Sequence, residues 1–521
     1  MSLIPEIGGG TPNYWCTWDV QNSEFDPVPN PGTEAGKLMF EGDQGARMAR
    51  HNLNETTLFG PHGWTANWPA VRRDLYFMLD DGWDVPYHVH PDTQVHRFGS
   101  LELNEERFPS CTGTPAERLR KMNAKLQAAG WRGAGLWVAA QAVGDGLNGQ
   151  KMDDAGLGEY WRERLRWSRD AGIQYWKVDW GFRAHDPEFR RWLTALAGEI
   201  APGLLVEHGT CCLPLNGVVM REDKVLQGNG RFCQPDDTQA KAVRLLAFSD
   251  VVRVYDTIAP LATVSTLDRA VCFLQQGKPS AHSRGLVNVE DEVYLGAVLG
   301  CCLGIMRAPR RKTPPYDGVA RCNQRLTEVV RAVRWQRLAP AYGVGENELC
   351  VSPNTLRDTW EFTTGSTWWS AVIGKTVSQA APAVVARGCA LPAVHVSAGE
   401  APFVVASRHP NGAVAVATLP RVSNERGLYT PPADVAIAID GSPAPIGVFG
   451  HYNSLALDAP AGWSAARVWA QDLALDEAVD ITGQVIREGR RLILPGDLIR
   501  HLGKPAANDL SAPGIVVMVQ A

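Results

Sequence analysis

The chain has 521 residues, long enough for two or three domains with sizeable cores. Its 45% hydrophobic and 21% charged content is that of an ordinary globular protein, and a net charge of −5 leaves no basic footprint for nucleic acid. No apolar run is long enough to span a membrane. Residues 1–6, MSLIPE, show no basic stretch followed by an apolar one, so a cytoplasmic protein without membrane association is expected.

Eleven cysteines include no C-x-x-C pair, and Cys211-Cys212 and Cys301-Cys302 lie in apolar segments, which suits reduced, buried thiols. Tryptophan is the compositional outlier, with 18 residues. Its flat apolar face suits either a sugar ring or a large core.

Up to about residue 310, short apolar runs alternate with amphipathic helical segments, the pattern of βα units around a parallel sheet. The first run is residues 14–18, YWCTW. A long polar insertion at about 21–70 follows, carrying Arg47, Arg50, His51, Trp64 and Trp68, and it could form a lid or an extra subsite. The second run covers 75–79 and ends on Asp80-Asp81-Gly82-Trp83.

Thr114, Pro115 and Glu117 form a capping box with Pro at the first helical position, predicting a helix through Leu119, Met122 and Leu126 up to Gly130. Strand-like runs at 135–141, 174–179, 204–209 and 250–256 follow, separated by helices near 159–171, 187–198 and 240–248. Two weaker strands near 285–289 and 297–306 complete eight units. The predicted fold is an α/β (β/α)8 barrel over 1–340, followed at 345–521 by a C-terminal antiparallel β-sandwich rich in Val, Thr and Gly-bounded runs.

In such a barrel the site lies at the C-terminal ends of the strands. Polar residues occur at most of them: Asp80 and Asp81, Gln141, Lys177 and Asp179, Glu207, and Asp256. Each could be a helix cap, and Asp179 could simply pair with Lys177. Their convergence on one rim would repel, with Lys177 and Arg253 offsetting part of the repulsion. Two carboxylates on one rim with Trp nearby suggest glycoside hydrolysis, one attacking the anomeric carbon and the other moving the proton. Lys177 lies two residues from Asp179, on the same strand face, which favours Asp179 as the ionised nucleophile and Asp256 as the acid.

These residues carry a resemblance. Trp15-Cys16-Thr17-Trp18 is similar to the first-strand W-x-S/T-W of α-galactosidases, and Asp80-Asp81-Gly82-Trp83 to their second-strand D-D-x-W. Lys177-Val178-Asp179 resembles the K-x-D nucleophile strand of glycoside hydrolase families 27 and 36, in the same order and with a similar β domain behind.

The resemblance implies a metal- and cofactor-independent retaining exo-glycosidase with Asp179 as nucleophile. Asp80, Asp81 and Lys177 would bind hydroxyls of the terminal sugar, and Glu207 the hydroxyl next to the anomeric carbon. Trp18, Trp83, Trp137 and Arg253 complete the expected substrate-binding set. The family acid/base is an Asp shortly after an Arg. Arg253-Val254-Tyr255-Asp256 offers that pair at a shorter spacing, with Asp250 and Asp268 in reserve.

The segment Glu207-His208-Gly209-Thr210-Cys211-Cys212 departs from the family Cys-Glu-Trp, which leaves the sugar open among α-galactoside, α-N-acetylgalactosaminide, β-L-arabinopyranoside and α-glucan. Transglycosylation and non-catalytic carbohydrate binding stay open too, as does a homo-oligomer. His88-Val89-His90 could be a metal pair, but no matching ligands surround it in the sequence.

Overall fold

In the computed structural model, the described residues are 1–8, 10–23, 50–87, 96–147, 150–209, 218–221, 224–227, 243–254, 262–277, 283–309, 324–361, 376–440, 444–459 and 467–520. Strands β1 (Asn13–Cys16), β2 (Leu75–Leu79), β3 (Gly133–Val138), β4 (Tyr175–Val178) and β5 (Leu205–Gly209) are buried throughout. Burial on both faces explains why they read as nearly continuous apolar runs instead of alternating ones.

A hairpin of β6 (Val218–Arg221) and β7 (Lys224–Gln227) leaves the barrel after β5. The barrel resumes with β8 (Val251–Arg253), β9 (Leu286–Glu290) and β10 (Cys302–Ile305). The eight strands close in the order β1-β10-β9-β8-β5-β4-β3-β2, every pair parallel. The expected (β/α)8 barrel is therefore present.

The helices among the described residues include, in chain order, α1 (Trp18–Ser23), α2 (Glu55–Phe59), α3 (Pro115–Ala128), α4 (Asp154–Asp170), α5 (Pro187–Ile200), α6 (Thr263–Leu274), α7 (Val293–Val298) and α8 (Leu326–Leu338). α3 and α5 start in the same way. Thr114 and Asp186 accept from first-turn amides while Pro115 and Pro187 occupy the position whose missing N–H costs nothing. Leu119, Met122 and Leu126 form the buried stripe of α3, as their spacing predicts.

Two boundaries differ from the sequence expectation. Trp18 opens a helix instead of ending β1, and the apolar run at 293–298 is α7, so the eighth strand is confined to Cys302–Ile305. Trp64 and Trp68, expected in a lid or subsite, are buried in the main core instead.

Beyond α8 the regular elements among the described residues are strands and one short helix, Gly496–Leu502. An eight-stranded sheet runs from Leu349–Val351 to Val479–Asp480, and a five-stranded sheet packs beside it around Val404, Val416, Leu455, Leu494 and Val517. The pairing is mixed and not purely antiparallel: Val384–Arg387 runs parallel to Phe403–Arg408, and Val414–Leu419 to Ile446–Phe449. A third sheet of six strands takes in the β6–β7 hairpin, because β6 pairs antiparallel with Thr376–Pro382. Among the described residues no helix is long and apolar enough to cross a membrane.

Candidate active site

Asp179 is the residue after β4, at the C-terminal end of the barrel, and is only 5% exposed. Its Oδ2 accepts from the Trp137 indole at 3.0 Å, and its Oδ1 from Arg253 Nη2 at 2.8 Å. Arg253, fully buried at the end of β8, also reaches Glu290 Oε1 through Nη1 at 3.4 Å. The carboxylate of Asp179 is thus oriented by groups from two other strands. A cap for the following helix would not need them; α5 is capped by Asp186.

A second cluster lies beside it. Lys177 Nζ donates to Asp80 Oδ2 at 2.8 Å, and the Cys16 thiol donates to the same oxygen at 2.9 Å. Burial opposes the charge on Lys177, but Asp80, Cys16 and Glu290 together outweigh it and hold the ammonium well above its usual range. Burial first, and then Asp80, pushes the Cys16 thiol far up, so it stays a protonated donor. Asp80 Oδ1 accepts from the Asp81 amide at 2.9 Å, which fixes its carboxylate plane.

Asp81 is engaged differently. Arg50 donates from Nε to Oδ1 and from Nη2 to Oδ2, each at 2.8 Å, a bidentate fork with both partners buried. Burial raises the Asp81 carboxyl despite that fork. Gly82, at φ 104°, lets the pair form: a Cβ there would come within 2.7 Å of Arg50 Cβ. The expected second hydroxyl ligand is therefore tied to Arg50 of the 21–70 insertion.

Glu207 lies in the lumen at the level of Lys177, its register partner, and not at the strand tip. It is fully buried, with Tyr14 and Tyr175 hydroxyls at 3.1 and 2.8 Å and Asn288 Nδ2 at 2.7 Å. Burial raises its carboxyl, with Arg253 opposing. Its carboxylate is thus held by barrel-interior groups below the level of Asp179. Trp83 is fully buried, and its indole N–H donates to the Trp137 carbonyl at 2.9 Å. Trp18 is half-buried against the lumen cluster of Tyr14, Cys16 and Tyr76.

Asp256 lies outside the described residues, as do His88 and His90. Both reserve acids sit elsewhere. Asp250 precedes β8, at the opposite end of the barrel, where Oδ2 accepts from the Val206 amide at 2.9 Å. Asp268 is in the middle of α6 and accepts from Gln379 of the β domain at 3.0 Å.

Glu290, Tyr14 and Asn288 were missed from sequence. Glu290 ends β9, and its Oε1 lies 3.3 Å from the Tyr14 hydroxyl, whose single proton serves either Glu290 or Glu207. The signal was present, since Asn288 and Glu290 are polar at i and i+2 of an apolar strand and so share its lumen face. Asp80, Asp81, Asp179, Glu207 and Glu290 thus lie among Arg50, Lys177 and Arg253, from the barrel interior up to its C-terminal end.

The rim is rigidly tied. Gln141 Oε1 accepts from the Phe182 amide at 2.9 Å, and Arg183 Nε donates to Asp145 Oδ2 at 2.8 Å in a buried pair, joining the loops after β3 and β4. Among the described residues no group of three or more His, Cys, Asp or Glu could hold a metal ion.

No protein-family model matches the sequence, and no curated protein does. Among solved structures, the chain is similar to a family 27 β-L-arabinopyranosidase from Geobacillus stearothermophilus, at 10% identity over 98% of this chain and 97% of that one, with a TM-score of 0.40. A protein from Bacillus halodurans C-125 assigned as an α-N-acetylgalactosaminidase matches at 10% identity over 100% of both chains, TM-score 0.37. One from Bacteroides fragilis NCTC 9343 assigned as an α-galactosidase/melibiase matches at 11% over 98% of this chain and 79% of that one, TM-score 0.38.

Proposed function

We propose that this chain is a retaining exo-glycosidase that removes a terminal α-galactosyl group from an oligosaccharide or glycoside in the cytoplasm. The observation that carries the reading is the Asp179 carboxylate, held at the C-terminal end of the barrel by Trp137 and Arg253 beside the Lys177–Asp80–Cys16 cluster. A carboxylate presented between fixed donors suits nucleophilic attack.

In the first step Asp179 bonds to the anomeric carbon while the glycosidic C–O bond breaks, and Asp256 gives its proton to the leaving oxygen. In the second, Asp256 takes a proton from water, whose oxygen replaces Asp179 at the anomeric carbon, restoring both carboxyls and the original configuration. Asp80 and Lys177 orient hydroxyls of the sugar, and Arg253 stabilises the charged form of Asp179. Seven cysteines are free among the described residues, in keeping with a reducing compartment.

One observation favours a second reading, the same mechanism on another sugar: Arg50 occupies both oxygens of Asp81, so hydroxyl recognition on that side differs from a pair of free aspartates. A panel of nitrophenyl glycosides tests both. The expected result is turnover of the α-galactoside, lost in Asp179→Ala without change in the circular dichroism spectrum. Turnover of the α-N-acetylgalactosaminide or β-L-arabinopyranoside alone would move the reading to that sugar. Full activity of Asp179→Ala would end it.

A further inference from the structure

We infer that Arg190 is a positioning residue for Asp179, acting with His208 and Thr194 from behind the strand that carries the nucleophile; the inference rests on the function proposed above. The β4–β5 ladder ends at the Val178–His208 pair, so Asp179 is held by other groups. On one side its amide donates to the Val138 carbonyl at 2.9 Å. On the other, its carbonyl accepts from Arg190 Nη2.

Arg190 lies in the first turns of α5 and is 1% exposed. Its Nη1 donates to the Val178 carbonyl at 3.0 Å and its Nε to the Ala184 carbonyl at 2.8 Å. One planar fork therefore spans the two carbonyls flanking the Val178–Asp179 junction and the loop beyond. A lysine, with a single compact ammonium, cannot hold three carbonyls in one plane.

The fork is itself held. Arg190 Nη1 lies 3.0 Å from His208 Nδ1, and His208 Nε2 lies 2.7 Å from Thr194 Oγ1. A guanidinium only donates, so Nδ1 presents its lone pair and the ring proton sits on Nε2, donating to Thr194. The Thr194 hydroxyl donates in turn to the Arg190 carbonyl at 3.0 Å, closing a loop. His208 is fully buried, and burial followed by Arg190 holds its imidazole well below the usual range, which keeps it in this neutral form. The loop sets the angle at which the Asp179 peptide leaves the strand, and with it the approach of the carboxylate to the anomeric carbon.

The test uses the full chain with Arg190→Lys, Arg190→Ala and Thr194→Val, assayed on an activated aryl galactoside for kcat and KM. Thermal unfolding is followed alongside. Arg190→Lys is expected to lower kcat roughly 10- to 100-fold with KM within about twofold, the size of loss a small misplacement of a reacting group produces. Thr194→Val should lose less, in the same direction, and added guanidinium should restore part of the kcat of Arg190→Ala.

A lowered melting temperature with unchanged kcat per folded molecule, in both Arg190→Lys and Thr194→Val, would overturn the inference. Those two variants decide it if Arg190→Ala does not fold. An active wild type with unaffected variants removes this inference alone, whereas a wild type that turns over no glycoside removes the function and the inference together.

Discussion

Asp84 shows how burial tunes a single carboxyl beside the site. Its Oδ2 takes only long hydrogen bonds, from Ser100 Oγ and the Leu101 amide, both at 3.3 Å. Burial pushes the group up to about 7, the Leu101 bond opposes this, and Asp81 adds repulsion. The folded chain therefore keeps a proton between pH 4 and 7 that the unfolded chain has released. Stability should fall as pH rises through that window, by up to about 1.4 kcal/mol per unit.

Asp84→Asn keeps the shape without the titration. It should flatten this slope and raise stability at pH 8 by roughly 1–3 kcal/mol, read from denaturant midpoints at pH 5 and 8. An unchanged slope would place the proton elsewhere. His208 works in the opposite sense: neutral when folded, it loses ground to the unfolded chain as pH falls below about 6.5.

At the scale of elements, the turn after β4 is the least forgiving. Gly181 sits at φ 145°, and a Cβ there would meet the Ala140 backbone at 2.8 Å, because the Ala140 amide already donates to the Trp180 carbonyl at 2.9 Å. Gly181→Ala should cost on the order of 2 kcal/mol or more and depress turnover by shifting Asp179. Unchanged melting and kcat in that variant would show that the two loops separate freely.

The same segment explains what was legible in the sequence. β4 announced itself because an apolar run stopped on Lys177 and Asp179, and α3 and α5 because their caps are local chemistry. The eighth strand was begun too early because Val293–Leu299 and Cys302–Ile305 are equally buried, and burial erases the periodicity that separates helix from strand. Glu207 was placed at the rim because its neighbours in sequence say nothing about Tyr14, Tyr175 and Asn288, which come from three other strands. The Arg50–Asp81 fork was likewise invisible, since its partners are 31 residues apart and no local pattern pairs them.

Across the whole molecule, barrel and β domain are joined through charges in α8. Arg331 makes a bidentate pair with Asp472, Nε to Oδ1 at 2.8 Å and Nη2 to Oδ2 at 2.6 Å, with the arginine fully buried. One helical turn earlier, Glu328 accepts from Arg307 at 3.1 Å at the end of the barrel and from the Ala512 amide at 3.0 Å in the β domain. Several arginines hold Glu328 below the usual carboxylate range, although burial opposes them.

Removing one partner leaves a buried charge uncompensated, so Asp472→Ala should destabilise the whole chain by about 3–5 kcal/mol in a single cooperative transition. Calorimetry showing an unaltered barrel transition beside a lowered β-domain transition would contradict that coupling. The change in sequence texture near residue 345 carries no sign of the coupling. Nor does it show the β6–β7 hairpin, whose partner strand Thr376–Pro382 lies far along the chain.

The central claim is that Asp179 attacks the sugar. Incubating the protein with a 5-fluoro glycosyl fluoride, which slows release of the glycosyl-enzyme, and mapping the labelled peptide by mass spectrometry tests it directly. The account predicts one glycosyl group per chain, esterified to the Asp179 carboxyl and absent from Asp179→Ala. A label on Glu207, Glu290 or Asp80, or turnover with no covalent adduct at all, would contradict it.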